Sequence, residues 1–393
     1  MHGAPLDQHS LRIPAPSADA RVHSAKVLAH VRAAIAEARG WISLAEYANV
    51  VLYAPGLGYY SAGARKFGAD GDFVTAPELT PLFGGALAAQ IAQILAHTGG
   101  EVVELGPGTG CLAADTLAAL AAQDALPSRY LMLEVSPDLR DRQRAELERR
   151  VPRLLDRLEW IEVLPRRWRG VVLANEVLDA VPAHIVARVH GQWRERGVTV
   201  HGDALALADR PLGEGALLAS ARTLFPPEID YASELNPAAN ALVRSLAERC
   251  DAGAMIFFDY GFPAAEYYHV QRSEGTMMAH YRHHALTDPL FLPGLADLTS
   301  HVDFSAIARS AVAAGMQVAG FTSQAQFLIN CGILDLLSAQ GEPRSASYLR
   351  AANAVQKLLS PAEMGELFKV LAVVRNVEPG PLGFRDGDRT GRL

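Results

Sequence analysis

Between Glu101 and Gly110 the chain reads EVVELGPGTG, an apolar run ending in Glu104-Leu105-Gly106 and followed by Gly108 and Gly110. Glycines at this spacing let a strand turn sharply into a helix and let the backbone approach a ligand closely. The same glycines also suit an ordinary tight turn. Further on, Glu134 ends a second apolar run, RYLMLEV, where open α/β folds place an acid that accepts hydrogen bonds from both ribose hydroxyls. Charge-assisted bonds of this kind contribute roughly 1.5 to 3 kcal/mol each. Glycines and acid together favour a nucleoside ligand. A dinucleotide fingerprint G-x-G-x-x-G would need glycine where Cys111 stands, which counts against a nicotinamide-dependent oxidoreductase. A third group, Asn175, Glu176 and Asp179 in LANEVLDAVPAH, follows another buried run, at the sheet edge where open α/β folds bind their ligands. There they can meet a substrate, or Asn175 can cap a helix whose first turn carries solvated acids. His280, His283, His284 and His301 cluster with Asp288, Asp297 and Asp303 without H-E-x-x-H spacing. A polar network under a loop accounts for them, and no metal is assigned.

These residues need a sheet to hold them. Short apolar runs at 101–105, 129–135, 158–164, 170–176 and 254–261 read as strands buried on both faces, and 316–324 and 367–375 add two more. Helical segments such as CLAADTLAALAAQDAL and SPDLRDRQRAELERRV lie between the first three, so right-handed βαβ crossovers and a mostly parallel sheet are expected. The alternating segment 184–210 predicts an antiparallel meander inserted on the substrate side. The expected organisation is a flexible leader at 1–21, an N-terminal helical region and flap at 22–98, and a first core part at 99–183. An inserted subdomain at 184–249, a core completion at 250–376 with a lid at 275–304, and a flexible tail at 377–393 complete it.

Half of the 393 residues are hydrophobic and 20% are charged, enough apolar material for a large core. The formal charge is −7, and lysine occurs only at 26, 66, 357 and 369, so no basic face for nucleic acid is expected. Cys111, Cys250 and Cys331 stand far apart with no CxxC, which suits a reducing compartment and argues against a zinc ribbon or a disulfide framework. No apolar run reaches the ~18 to 20 residues that cross a bilayer.

The pattern E-x-G-x-G-x-G resembles the first motif of class I S-adenosylmethionine-dependent methyltransferases. More specifically, a series of blocks in order is similar to the MidA-like family of that class: GYYSAGARKFGADGDFVTAPELTPLFG, VELGPGTG, LEVSPDLRDRQ, ANEVLDAVPAH, FFDYG, GTMMAHYRHHALTDPLFLPGLADLTSHVDF and EMGELFKVLA. The resemblance runs from about Gly58 to Ala372 and implies a Rossmann-like sheet of seven strands. It implies that Gly106, Gly108 and Gly110 line the methionine part of S-adenosyl-L-methionine and that Glu134 holds its ribose, with Glu104, Val135 and Thr75 completing the cofactor set. It also implies a flap made by Gly71, Asp72, Phe73, Thr75 and Glu78. Asn175, Glu176 and Asp179 are the candidate catalytic residues. Asp72, Phe73, Glu78, His184, Asp297, Thr299, His301 and Asp303 are the candidate substrate contacts. Thr109 stands where the family often has Arg, Val177 and Leu178 where it has two aromatics, and no Asp follows the third strand to hold adenine.

The mitochondrial member of the family is a protein-arginine methyltransferase that helps assemble respiratory complex I. The expectation is therefore methylation of arginine on a protein partner such as a respiratory complex I subunit. An assembly chaperone without turnover is the alternative, with an NAD-dependent oxidoreductase behind it. A cytoplasmic setting is expected in bacteria and the mitochondrial matrix in a eukaryote, with a homodimer as one expected assembly.

Overall fold

A computed structural model describes residues 13–62, 75–378 and 380–393. Its centre is a sheet of seven strands: β1 Glu101–Leu105, β2 Tyr130–Leu133, β3 Leu158–Ile161, β4 Trp168–Asn175, β5 Cys250–Phe262, β6 Gln317–Ser323 and β7 Phe368–Arg375. They lie in the order β6-β7-β5-β4-β1-β2-β3, and the short strand Val302–Asp303 pairs with the end of β5. All neighbours from β5 to β3 are parallel, whereas β7 runs antiparallel to both β5 and β6.

The continuous apolar runs form central strands because both faces are covered. Val102, Val171, Leu173, Ile256 and Phe258 point to one face, beneath helices Pro81–Thr98, Cys111–Ala122 and Gln324–Asn330. Val103, Val172, Ala174, Met255 and Phe257 point to the other, beneath helices Pro237–Glu248 and Phe304–Ala313. Each large side chain fully buried this way contributes roughly 1.5 to 3 kcal/mol. Helix boundaries follow the local sequence: in SPDLR, Ser136 accepts a hydrogen bond from Leu139 N and Pro137 opens helix Pro137–Arg150.

The predicted meander is present as strands His184–Val189, Gln192–His201 and Ala204–Pro211, joined by Tyr231–Leu235 and, from the N-terminal region, by Ile42–Ser43. Helix Pro237–Glu248, which the sequence reading grouped with this insertion, packs on the central sheet through Ala239, Val243 and Leu246. Helices Ala18–Glu37 and Leu44–Tyr53 share a separate core with the meander and with a small sheet of Met278–Tyr281, His284–Leu286 and Asp297–Thr299. The expected lid is thus partly strand.

Two terminal expectations are corrected. The leader assigned to 1–21 already contains the start of helix Ala18–Glu37, because the Ser17 side chain accepts from Ala20 N. The tail expected to be flexible is pinned: Gly383 N donates to Gln90 Oε1 at 2.8 Å, Asn330 Nδ2 donates to Gly383 O at 2.8 Å, and Phe384 is buried against Phe327. Its composition suggested mobility, yet one aromatic anchor and buried amide partners hold it. Among the described residues, no helix is long and apolar enough to cross a membrane.

Candidate functional site

A cavity of about 630 Å³ opens at the carboxyl ends of β1, β2, β4 and β5. The glycine loop forms its floor. Gly106 and Gly108 have φ of 58° and 54°, in the left-handed region that favours glycine. A Cβ on Gly108 would project into open space, and one on Gly106 would meet Val177 Cγ2 at 3.1 Å. The loop therefore offers bare backbone to a ligand.

Gly110 does not line this cavity. It sits at φ 83° as N-cap of helix Cys111–Ala122, and a Cβ there would come within 3.3 Å of the Gln143 backbone. Its role in the structure is to let Gln143 approach. Gln143, fully buried, donates to Gly108 O at 2.9 Å and to Glu134 Oε2 at 3.2 Å, and accepts from Trp160 Nε1 at 2.9 Å. This residue ties the glycine loop to the acid and was not singled out in the sequence, although it lies in the LEVSPDLRDRQ block.

Glu134 lines the cavity with Oε1 accepting from Ser136 N at 2.8 Å. Two donors of the chain fix the carboxylate while it still faces the cavity, and it has lone pairs left for hydroxyls. Val135, 66% exposed, forms part of the same wall. Glu104 also reaches the cavity, buried, accepting from Tyr130 OH at 2.7 Å, and burial pushes its carboxyl up to about 7. Thr75 and Glu78, around helix Ala76–Leu79, line the cavity too. Gly71, Asp72 and Phe73 lie outside the described residues.

Asn175, Glu176 and Asp179 come together where β4 ends. No helix follows, so the capping alternative for Asn175 does not apply; residues 176–181 form a turn. Glu176 sits at φ 54° with its N donating to Phe258 O at 2.9 Å, and Asn175 Nδ2 donates to Glu176 Oε1 at 3.1 Å. The Ala76 N–H also donates to the Glu176 carboxylate. The turn is held from below by Asp259, buried at the end of β5, whose Oδ2 accepts from Leu178 N at 3.0 Å and Asp179 N at 3.2 Å. Burial, then the charge of Asp179, pushes Glu176 up to about 8, and burial pushes Asp179 up to about 6. Burial, then the charges of Asp179 and Glu176, raises Asp259 well above the carboxylate range. Among the described residues no lysine or arginine forms an ion pair with any of the three.

Across the cavity, Asp297, Thr299 and His301 line the wall, and Tyr60 OH donates to Asp297 Oδ1 and Oδ2 at 2.9 and 2.8 Å. His301 carries a neutral ring: burial, then Arg272 and Lys369, lowers it to about 4. Its Nδ1, like Asn175 Oδ1 and Asp179 Oδ1, is buried without a hydrogen-bond partner. His184 and Asp303 are not brought here. Both face a second cavity, where His184 Nδ1 pairs with Glu195 and Asp303 caps helix Phe304–Ala313 through Ala306 N at 3.0 Å. Tyr53, Tyr60, Tyr260 and Phe368 line the first cavity and were missed. Among the described residues, no group of three or more His, Cys, Asp or Glu is arranged to hold a metal ion.

A parallel sheet with one antiparallel strand between β5 and β6, a glycine loop after β1 and an acid after β2 define a class I methyltransferase. Bare glycine backbone, an anchored ribose-type acid and unpartnered polar atoms in one cavity fit S-adenosyl-L-methionine as the methyl donor. The chain belongs to the family of S-adenosyl-L-methionine-dependent methyltransferases, whose profile matches residues 86–322. Among its relatives is the protein arginine methyltransferase NDUFAF7, mitochondrial, of Danio rerio, 31% identical over 381 residues, covering 88% of this chain and 86% of that one. The Drosophila melanogaster homologue of that protein is 31% identical over 383 residues, covering 86% of this chain and 82% of its own. A COG1565 superfamily structure from Burkholderia thailandensis bound to S-adenosyl-homocysteine is 47% identical, with a TM-score of 0.93 over 97% of this chain and 100% of that one.

Proposed function

We propose that the chain transfers the methyl group of S-adenosyl-L-methionine to an arginine side chain of a protein partner. The observation that carries this reading is the pair Glu176 and Asp179 at the cavity, with Asp259 buried beneath them and no cation paired to any of the three among the described residues. Like charges held together without a counter-ion are costly, and a guanidinium would relieve that cost. Arginine matches carboxylates bidentately and stays charged in water, so carboxylates that orient it also ready one nitrogen for attack. The names of the relatives support the same acceptor.

In this reading the glycine loop and Glu134 hold the cofactor, which when bound supplies an activated methyl group on sulfur. Glu176 and Asp179 orient the guanidinium towards it. As the N–C bond forms, the methyl–sulfur bond would break with its electron pair going to sulfur, leaving S-adenosyl-homocysteine, and the Glu176 carboxylate, with its raised affinity for protons, takes up at Oε the proton that the attacking nitrogen loses. Alignment of this kind supplies ~7 to 11 kcal/mol of barrier lowering. Helix Ala76–Leu79 and the segment 275–304 cover the cavity and keep water out. The first candidate partner is a respiratory complex I subunit, met in the cytoplasm of a bacterium or the matrix of a mitochondrion.

The test is transfer of tritium from labelled S-adenosyl-L-methionine to a lysate lacking the protein, followed by mass spectrometry of the labelled product. Methylarginine in a protein is the expected result. Label confined to lysine or to small molecules overturns the reading.

A further inference from the structure

The cavity has an aromatic wall that the methyltransferase sheet does not supply. Tyr53 ends helix Leu44–Tyr53 and Tyr60 lies in the turn beyond it, both ahead of the residues 86–322 that match the family. Their rings stack with centroids 5.5 Å apart and planes 24° from parallel. Buried Tyr59 backs the pair, edge-on to Tyr60 at 5.1 Å. The turn itself is pinned: Tyr59 N and Tyr60 N donate to Val51 O and Leu52 O at 2.8 and 2.9 Å. Gly58 permits this return, since a Cβ there would lie 2.5 Å from the Leu52 carbonyl.

Both hydroxyls are engaged. Tyr53 OH donates to Ala180 O at 2.8 Å, one residue after Asp179, while Tyr60 OH is held by both oxygens of Asp297. The stacked pair therefore reaches from the Asp179 turn to Asp297, and what remains for a ligand is ring face. An aromatic face attracts a cation, and a planar guanidinium can stack on it while its N–H edges meet carboxylates. An ammonium is compact, strongly hydrated and cannot stack in this way.

We propose that Tyr53 and Tyr60 form a stacking platform that selects a flat guanidinium over an ammonium, so that the cavity admits arginine in preference to lysine. The inference rests on the arginine reading above and names the residues that decide it.

The experiment titrates N-acetyl-arginine methylamide and N-acetyl-lysine methylamide into protein saturated with S-adenosyl-homocysteine, followed by ligand-observed NMR. The wild type should bind the arginine probe about tenfold or more tightly, a difference of about 1.4 kcal/mol. Tyr53→Phe, which keeps the ring, should retain the preference. Tyr53→Leu should bring the two probes within about threefold while S-adenosyl-homocysteine affinity stays unchanged. Tyr53 is 36% exposed, so the core tolerates its loss, and Tyr53→Met serves as a second ring-free variant should Tyr53→Leu fail to fold. No preference in the wild type overturns the platform, as does a preference that survives loss of the ring or disappears equally in Tyr53→Phe. The tritium assay separates the two readings. Arginine-selective binding with label only on lysine overturns the acceptor assignment and leaves the platform standing. Methylarginine together with an intact preference in Tyr53→Leu does the reverse.

Discussion

Replacing Glu176 by Gln should stabilise the protein at alkaline pH while removing its activity. The native carboxyl ionises at about 8 against an ordinary 4.5, with burial the main cause and Asp179 the next. A carboxyl whose folded value is raised is no handicap below the unfolded value, and its penalty grows as pH climbs towards the folded value. Between pH 6 and pH 8 the unfolded chain carries Glu176 ionised, whereas the folded chain keeps it largely protonated. Each pH unit in that window costs about 1.4 kcal/mol until 8 is neared, which makes about 2 kcal/mol across the two units. Gln has no such dependence. Its amide can also be accommodated, because Asn175 Oδ1, buried without a partner, can accept from it once the Asn175 amide turns over. Thermal unfolding without cofactor at the two pH values is the assay. For a chain of 393 residues, about 2 kcal/mol corresponds to a Tm gap widening by about 2 to 3 °C from pH 6 to pH 8, in favour of the variant. Parallel pH dependence of wild type and Glu176→Gln would refute a strained carboxylate at this position.

Four further outcomes are expected. The kcat/KM for an arginine acceptor should rise from pH 6 to about 8 and then level off, because the free enzyme must lose the Glu176 and Asp179 protons to receive a guanidinium; a flat profile speaks against that role. Glu134→Ala should weaken S-adenosyl-L-methionine by about 100-fold or more in calorimetric titration, from the loss of two hydrogen bonds worth roughly 1.5 to 3 kcal/mol each. Gly108→Ala should also weaken the cofactor, through a methyl group facing open cavity, in the same titration, and its left-handed backbone should cost about 1 to 2 kcal/mol of folding stability in denaturant melts. Phe384→Ala should lower unfolding stability by roughly 3 to 5 kcal/mol in denaturant melts, a cost that a mobile tail would not show.

The central sheet was legible because its strands are buried on both faces, so short apolar runs between helical segments had one simple reading. Local spacing also set the glycines and the acid at strand ends, and the structure brings Gly106, Gly108 and Glu134 to one cavity while Gly110 serves the helix behind it. The opposite wall was harder. Asp297, Thr299 and His301 share one side of the chain at intervals of two and reach the cavity together, but Asp303, next in that series, turns away to cap a helix. Nothing in residue type announces that change. His184, likewise, starts a meander strand and is taken by Glu195 on the next one. The tyrosines escaped notice because only the return of Tyr60 against Leu52 brings it beside Tyr53.

Asp259 shows why the carboxylate group is not an accident of packing. Its Oδ2 satisfies two backbone N–H groups of the turn, and its Oδ1 accepts from Tyr260 N at 3.0 Å. Asparagine could serve the first pair, but its amide would present a donor to the third. An acid is therefore the residue that fits the turn, and burial, then the nearby Asp179 and Glu176, raises its carboxyl well above the usual range. The same buried group thus fixes the direction of the turn that carries Asp179.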